Sequence, residues 1–216
     1  MFTDRRDAGR RLAEALRRYQ PEQPVVLALP RGGVPIGREI ARVLDAPLEV
    51  VVVRKIGAPG HPEFAIGAIA HGVTMVNREI VSQLGIPEEH LTRTIERETS
   101  ELERRDALYR RGRPPVDLTN RTVIVVDDGL ATGATATAAV QAIRQRKPRR
   151  VIFAAPVCAP DSAAGLRSHA DEVVCLETPR EFRAVSLWYQ DFSPTTDAEV
   201  LDCLNQVGPP SQRKPR

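Results

Sequence analysis

The chain has 216 residues, 42% hydrophobic and 27% charged, with a net charge of +3. That composition fits one ordinary soluble globular domain. The charge excess is small, and the arginines of the long polar segment alternate with acids, so no single-sign stripe marks a nucleic-acid partner. No apolar run approaches the ~18–20 residues of a membrane span, and the charged N-terminus has no apolar signal-peptide core.

In chain order, Thr3 or Asp4 is expected to cap a first helix running to about Tyr19. Val25–Leu29 is a continuous apolar run between prolines, the pattern of a strand buried on both faces. Residues 35–45 read as a helix with proline in its first turn, and Leu48–Val53 as the next buried strand. Strand, helix and strand with short joins predict a right-handed βαβ unit. The Gly/Pro-rich stretch 57–63 reads as a lid loop, with His61 and Glu63 as candidate lid residues. Two short strands then flank His71 and Gly72. Asn77 can cap a short helix. Residues 87–111 form a long helix whose narrow stripe of Leu91, Ile95, Leu102 and Leu108 leaves it mostly solvated, and 111–115 ends it. Thr122–Val126, Val151–Val157 and Glu172–Leu176 are further core strands, alternating with helices over about 135–147 and 161–169. Thr196 and Glu199 form a capping box for a C-terminal helix. The expected fold is α/β, a doubly wound, mostly parallel sheet with a small hood subdomain. The chain is one domain over 1–205, with its core over about 20–176 and a hood from the N-terminal helix and 177–205. The tail 206–216 is expected to be disordered.

The stretch 123–135, "VIVVDDGLATGAT", carries the chemistry. Ligands of parallel sheets lie beyond the carboxyl ends of the strands, where Asp127 and Asp128 stand. The small residues that follow let an anion reach backbone N–H groups at a helix N-terminus. The carboxylates would repel a phosphate and suit hydroxyls or a metal instead. A ribose 5-phosphate satisfies both halves. A Walker-type loop is excluded, because no Gly-Lys-Ser/Thr follows. Four histidines without ligand spacing argue against a dedicated zinc site. The three cysteines, Cys158, Cys175 and Cys203, are widely spaced, and reduced buried thiols in a cytoplasmic protein are expected.

That stretch closely resembles the signature of the type I phosphoribosyltransferases, and the wider layout is similar to an uncharacterised bacterial branch of them. The resemblance covers about 40% of the chain, roughly residues 25–56 and 120–176. It implies a substrate, phosphoribosyl pyrophosphate (PRPP), whose ribose hydroxyls meet Asp127 and Asp128. Ala131, Thr132, Gly133, Ala134 and Thr135 would hold its 5-phosphate. It implies Mg2+, reached by the two aspartates mostly through water. The loop Arg31-Gly32-Gly33 matches the family's pyrophosphate loop, often built with a strained peptide bond. Lys55 or Arg54 matches the basic residue before the lid. Catalysis would fall to Asp127, Asp128, Lys55 and Arg31. Trp188 or Tyr189 would stack on a small-molecule acceptor, usually a nitrogen base. Homodimers are common in the family. A PRPP-sensing regulator without turnover is the alternative function. No helix-turn-helix pattern supports it.

Overall fold

The computed structural model describes residues 1–70, 72–112 and 115–207, without the side chains of Pro62 and Glu63. His71, Arg113, Pro114 and 208–216 lie outside the described residues, and with them part of the expected hairpin turn, of the 111–115 helix stop and of the C-terminal tail.

The first helix, α1 (Arg5–Leu16), is capped by Asp4, whose side chain accepts from the Asp7 amide. A 3-10 turn carries the chain on through Glu22. Then come β1 (Val25–Ala28), α2 (Gly33–Leu44) and β2 (Leu48–Val50). After β2 the chain leaves the main sheet and builds a three-stranded antiparallel arm from β3 (Val53–Ala58), β4 (His61–Ala70) and β5 (Val73–Val76). Two helices follow, α3 (Arg78–Gln83), capped by Asn77, and α4 (Glu88–Arg110). The main sheet resumes with β6 (Thr122–Val126), α5 (Ala134–Gln145), β7 (Arg150–Val157), α6 (Pro160–Leu166) and β8 (Glu172–Glu177). The chain closes with a 3-10 turn (Val185–Trp188) and α7 (Asp197–Val207), with the expected capping box between Thr196 and Glu199.

The five strands of the main sheet run in the order β2-β1-β6-β7-β8, all parallel. Side chains alternate across such a sheet, and two apolar cores result. Val26, Ala28, Ile124, Val126 and Ile152 face α1, α2 and α7. Val25, Leu27, Val123, Val125 and Phe153 face α5 and α6. Helices therefore cover both faces, as the continuous apolar strands require. The chain passes from β1 out to β2, then returns across β1 to β6, so the order reverses between β1 and β6.

Four features depart from the sequence expectations. The expected strand Leu48–Val53 is split. Pairing with β1 ends at Ala28↔Val50, because β1 is only four residues long, and Val53 already pairs with Ala70 in the arm. The Gly/Pro-rich stretch is not a loop leaving the main sheet but the hairpin turn between β3 and β4, where Gly60 takes φ 74°. The long helix is not held by its leucines alone. Its buried face includes Glu98, which pairs with Arg54 on β3 at 2.6 Å, and Asp106, which pairs with Arg110 at 2.7 Å. Arg110 also contacts Glu49 on β2, and burial lowers its pKa to about 10. Paired charges thus dock a helix whose pattern reads as solvated. Finally, Cys158 and Cys175 form a disulfide rather than two thiols. The parallel pairing of β7 with β8 sets Ala155 opposite Cys175 and Val157 opposite Glu177, which leaves Cys158, just past β7, with its Cα 6.1 Å from that of Cys175, a neighbourhood that spacing along the chain does not reveal. Cys203 is a free, buried thiol.

Candidate active site

The switch point between β1 and β6 is where an open α/β sheet forms a ligand crevice. Two loops meet there. The Leu29 amide donates to the Val126 carbonyl at 2.8 Å, which fixes the end of β1 against the end of β6. The chain then turns through Pro30-Arg31, a cis peptide, into Gly32 and Gly33. The closeness of the two loops explains both glycines. A Cβ on Gly32 would lie 1.9 Å from an Asp128 carboxylate oxygen, and one on Gly33 would lie 2.5 Å from the Val126 carbonyl. At Gly33 the backbone leaves no room for a side chain, and at Gly32 a side chain would displace the Asp128 carboxylate. The Gly33 amide is already used, donating to the Leu29 carbonyl at 3.0 Å. It is therefore not among the amides open to a ligand.

Asp127 and Asp128 follow β6. The Asp128 amide donates to Asp127 Oδ1 at 2.8 Å. Burial, and then the neighbouring Asp128, hold the Asp127 carboxyl well above the usual carboxylate range. Burial also raises Asp128, against the opposing pull of Arg5. An acidic pair in this state favours added positive charge. Arg5 supplies part of it. Its Nε donates to Asp128 Oδ2 at 2.9 Å, its Nη1 donates to the Ser193 carbonyl at 2.7 Å, and its guanidinium lies 3.9 Å from the centre of the Phe192 ring.

The stretch after Asp128 is anchored through the Leu130 backbone and by the Ser162 hydroxyl, which donates to the Ala131 carbonyl. Leu130 is buried and bridges to β7, its amide donating to the Val157 carbonyl and its carbonyl accepting from the Ala159 amide. Ala131 and Thr132 are exposed. Gly133 caps α5 with φ 78°, a left-handed conformation that glycine adopts without strain. The first-turn amides of α5, which include those of Ala134 and Thr135, lack intrahelical acceptors, as at any helix start. They sit beside the exposed small residues, an arrangement that suits an anion.

A third layer closes over the pair. Phe2 zips onto the segment after the second 3-10 turn, donating its amide to the Trp188 carbonyl at 2.8 Å. Tyr189 is 6% exposed, packed between Phe2 and Phe192, and its hydroxyl donates to the Asp128 carbonyl at 2.6 Å. Burial pushes the Tyr189 pKa up. Tyr189 therefore braces the aspartate loop, and its ring faces are taken. Trp188 is only half-buried. Val185 presses on Gly129, where a Cβ would lie 2.5 Å from its methyls.

The structure brings Arg31, Gly32, Gly33, Asp127 and Asp128 together, with the small-residue stretch continuing from them. Lys55 falls elsewhere, within β3 and in register with Ala68 of the arm. Arg54 beside it is committed to Glu98. Arg5 is the residue that sequence reading missed. Its helix is ordinary, and its packing on α2 together with the pairing of the N-terminus with residues 188–191 delivers it to Asp128.

Residues 3–190 match the family model described as the phosphoribosyl transferase domain. The chain belongs to that family. A Mycobacterium tuberculosis protein, Rv0571c, which carries a provisional phosphoribosyl transferase name, is 44% identical over 208 residues, 96% of this chain and 47% of its own. The chain thus spans about half the length of the curated relatives it matches. A uracil phosphoribosyltransferase of an Acidovorax species is 41% identical over 58 residues, 26% of this chain and 28% of its own. The crystal structure of TT1426 from Thermus thermophilus has 44% identity and a TM-score of 0.86 over 95% of this chain and 98% of that one. The phosphoribosyl transferase domain therefore covers both loops of the site. Among its described residues no helix is long and apolar enough to cross a membrane.

Proposed function

We propose that the protein transfers the 5-phosphoribosyl group of PRPP to a nitrogen base and releases pyrophosphate. The observation that carries this reading is the meeting of three elements of two loops at the switch point. They are an acidic pair for ribose hydroxyls, a helix-start cradle for the 5-phosphate, and an arginine-glycine loop packed against the acids. In this reading Ala131 to Thr135 bind the 5-phosphate, Asp127 and Asp128 bind the ribose, and Arg31 with the Gly32 amide takes the pyrophosphate.

The acidic pair suits Mg2+, since its burial and mutual repulsion are only partly offset by Arg5. Among the described residues no group of three or more His, Cys, Asp or Glu could cage a metal alone. That suits an ion that keeps water and substrate oxygens as ligands. Bound there, Mg2+ would neutralise pyrophosphate charge. The chain's own part is positioning and leaving-group stabilisation. Breaking the bond at C1 ahead of attack makes an oxocarbenium-like centre, which needs no protein nucleophile. Arg31 meets the charge that develops on the leaving oxygen, while the aspartates hold the sugar still. Segment 185–192 and the N-terminal helix act as a hood, with the exposed part of Trp188 facing the acceptor. Lys55 reaches the pyrophosphate only if the arm moves, or from a second copy of the chain in a homodimer. A cytoplasmic setting remains part of this proposal and must accommodate the disulfide.

The test is pyrophosphate release from PRPP and Mg2+ with a panel of purines and pyrimidines. Release that depends on one acceptor supports transfer. Saturable PRPP binding with no release for any acceptor would replace catalysis by sensing. Absence of PRPP binding would end the reading.

A further inference from the structure

The long helix α4 has no part in the site just described, yet its C-terminal half runs beside it. Arg31, Arg104, Arg105, Leu108, Tyr109 and Asp197 line a partly open cavity of about 120 Å3, room for a phosphate group. Three guanidinium groups reach this cavity from two elements, the pyrophosphate loop and α4. Arg104 and Arg105 share one carboxylate, that of Glu101, with Nε–oxygen distances of 2.8 and 2.7 Å. Arg31 makes a loose contact of 3.9 Å with Asp197, whose same oxygen accepts the Tyr109 hydroxyl at 2.6 Å. Three cations against two carboxylates leave one positive charge in excess. The two arginines, hydrogen-bonded to the half-buried Glu101 carboxyl, hold it down at about 2.

We propose that this cavity is a second phosphate-binding subsite, which takes pyrophosphate or inorganic phosphate through Arg104 and Arg105 and joins the pyrophosphate loop through Arg31. Guanidinium groups suit the role because their planar donors match phosphate oxygens in pairs. Glu101 and Asp197 hold the three side chains ready while the subsite is empty, and an entering anion replaces the loose Arg31–Asp197 contact. That its occupant is the leaving group of a transfer rests on the transferase reading above; the anion site itself does not.

The experiment titrates the full chain by calorimetry with pyrophosphate, with inorganic phosphate, and separately with PRPP and Mg2+. Removing both arginines (Arg104→Ala with Arg105→Ala) is expected to weaken pyrophosphate about tenfold or more and to leave PRPP binding intact. Both side chains are solvent-facing, so the fold survives their loss. Asp197→Asn removes a carboxylate from the cavity and is expected to tighten pyrophosphate, a direction that structural damage would not give. If pyrophosphate binds better than phosphate, the occupant is the leaving group. If the two bind equally, it is free phosphate. Unchanged pyrophosphate affinity in the double variant overturns the proposal, as does a loss seen only with Asp127→Asn. Failure to bind PRPP alongside arginine-dependent pyrophosphate binding would sink the transferase reading and leave this one standing.

Discussion

Asp127→Asn should make the protein more stable and functionally dead. The Asp127 carboxyl is pushed up by burial and by Asp128 next to it, so its ionised form is disfavoured in the folded chain. Asparagine is nearly isosteric and uncharged, and its Oδ1 can still accept the Asp128 amide that Asp127 Oδ1 now accepts at 2.8 Å. Relief of this kind at a functional site is worth about 1 kcal/mol, or ~2–4 °C in Tm for a chain of this size. The pH dependence has a definite sign. A folded pKa above the unfolded value of about 3.9 means that the folded state keeps a proton the unfolded chain has released. The carboxyl's contribution is thus fully present below that unfolded value and is lost as pH rises through the folded pKa. The advantage of the substituted protein should therefore be greatest near neutral pH and shrink toward about pH 4. Thermal unfolding of both proteins across that range, without PRPP or metal, measures it, and PRPP titration of the variant should show no binding. A variant no more stable at neutral pH, or an advantage that does not change with pH, would refute the reasoning.

Three further outcomes follow from the same geometry. Gly32→Ala puts a methyl 1.9 Å from the Asp128 carboxylate, so PRPP affinity should fall at least about tenfold while the far-ultraviolet spectrum is unchanged; wild-type affinity would contradict the packing of the two loops. Arg5→Gln leaves Asp128 without its cation in a mostly buried site. The expected loss is roughly 3 kcal/mol of stability, read by denaturant unfolding, with partial rescue by Arg5→Lys. Cys175→Ser opens a bridge that spans 17 positions of sequence, for about 3 kcal/mol. Alkylation of the unfolded, unreduced wild type should modify one cysteine, Cys203, and modification of three would show that the bridge does not form.

Much of the fold was legible because its signals are local. Buried parallel strands are apolar throughout, so Val25–Ala28 and Thr122–Val126 announce themselves, and Asn77 and the Thr196–Glu199 pair mark helix starts by side-chain chemistry. What stayed hidden depends on partners distant in sequence. Nothing within Leu48–Val53 says that β1 will run out opposite Val50. The apolar stripe of α4 understates its buried face because Arg54, Glu49 and Arg110 form charge pairs along a face that a periodicity count assigns to solvent.

The site divides along the same line, and the division has a physical cause. Asp127, Asp128, Gly32, Gly33 and Gly133 are legible because the backbone there meets a constraint that few residues satisfy: a second loop within van der Waals reach, or a left-handed turn. Arg5 and Tyr189 carry no such mark. An arginine in a first helical turn and a tyrosine after a 3-10 turn fit many settings, and these two acquire their roles only when Phe2 zips onto the Trp188–Gln190 backbone. That zipper sets the Arg5–Asp128 pair and the Tyr189–Asp128 hydrogen bond together. One aspartate is thereby held by the N-terminal helix and by the segment after β8. Access to its carboxylate is therefore coupled to the docking of the N-terminal segment.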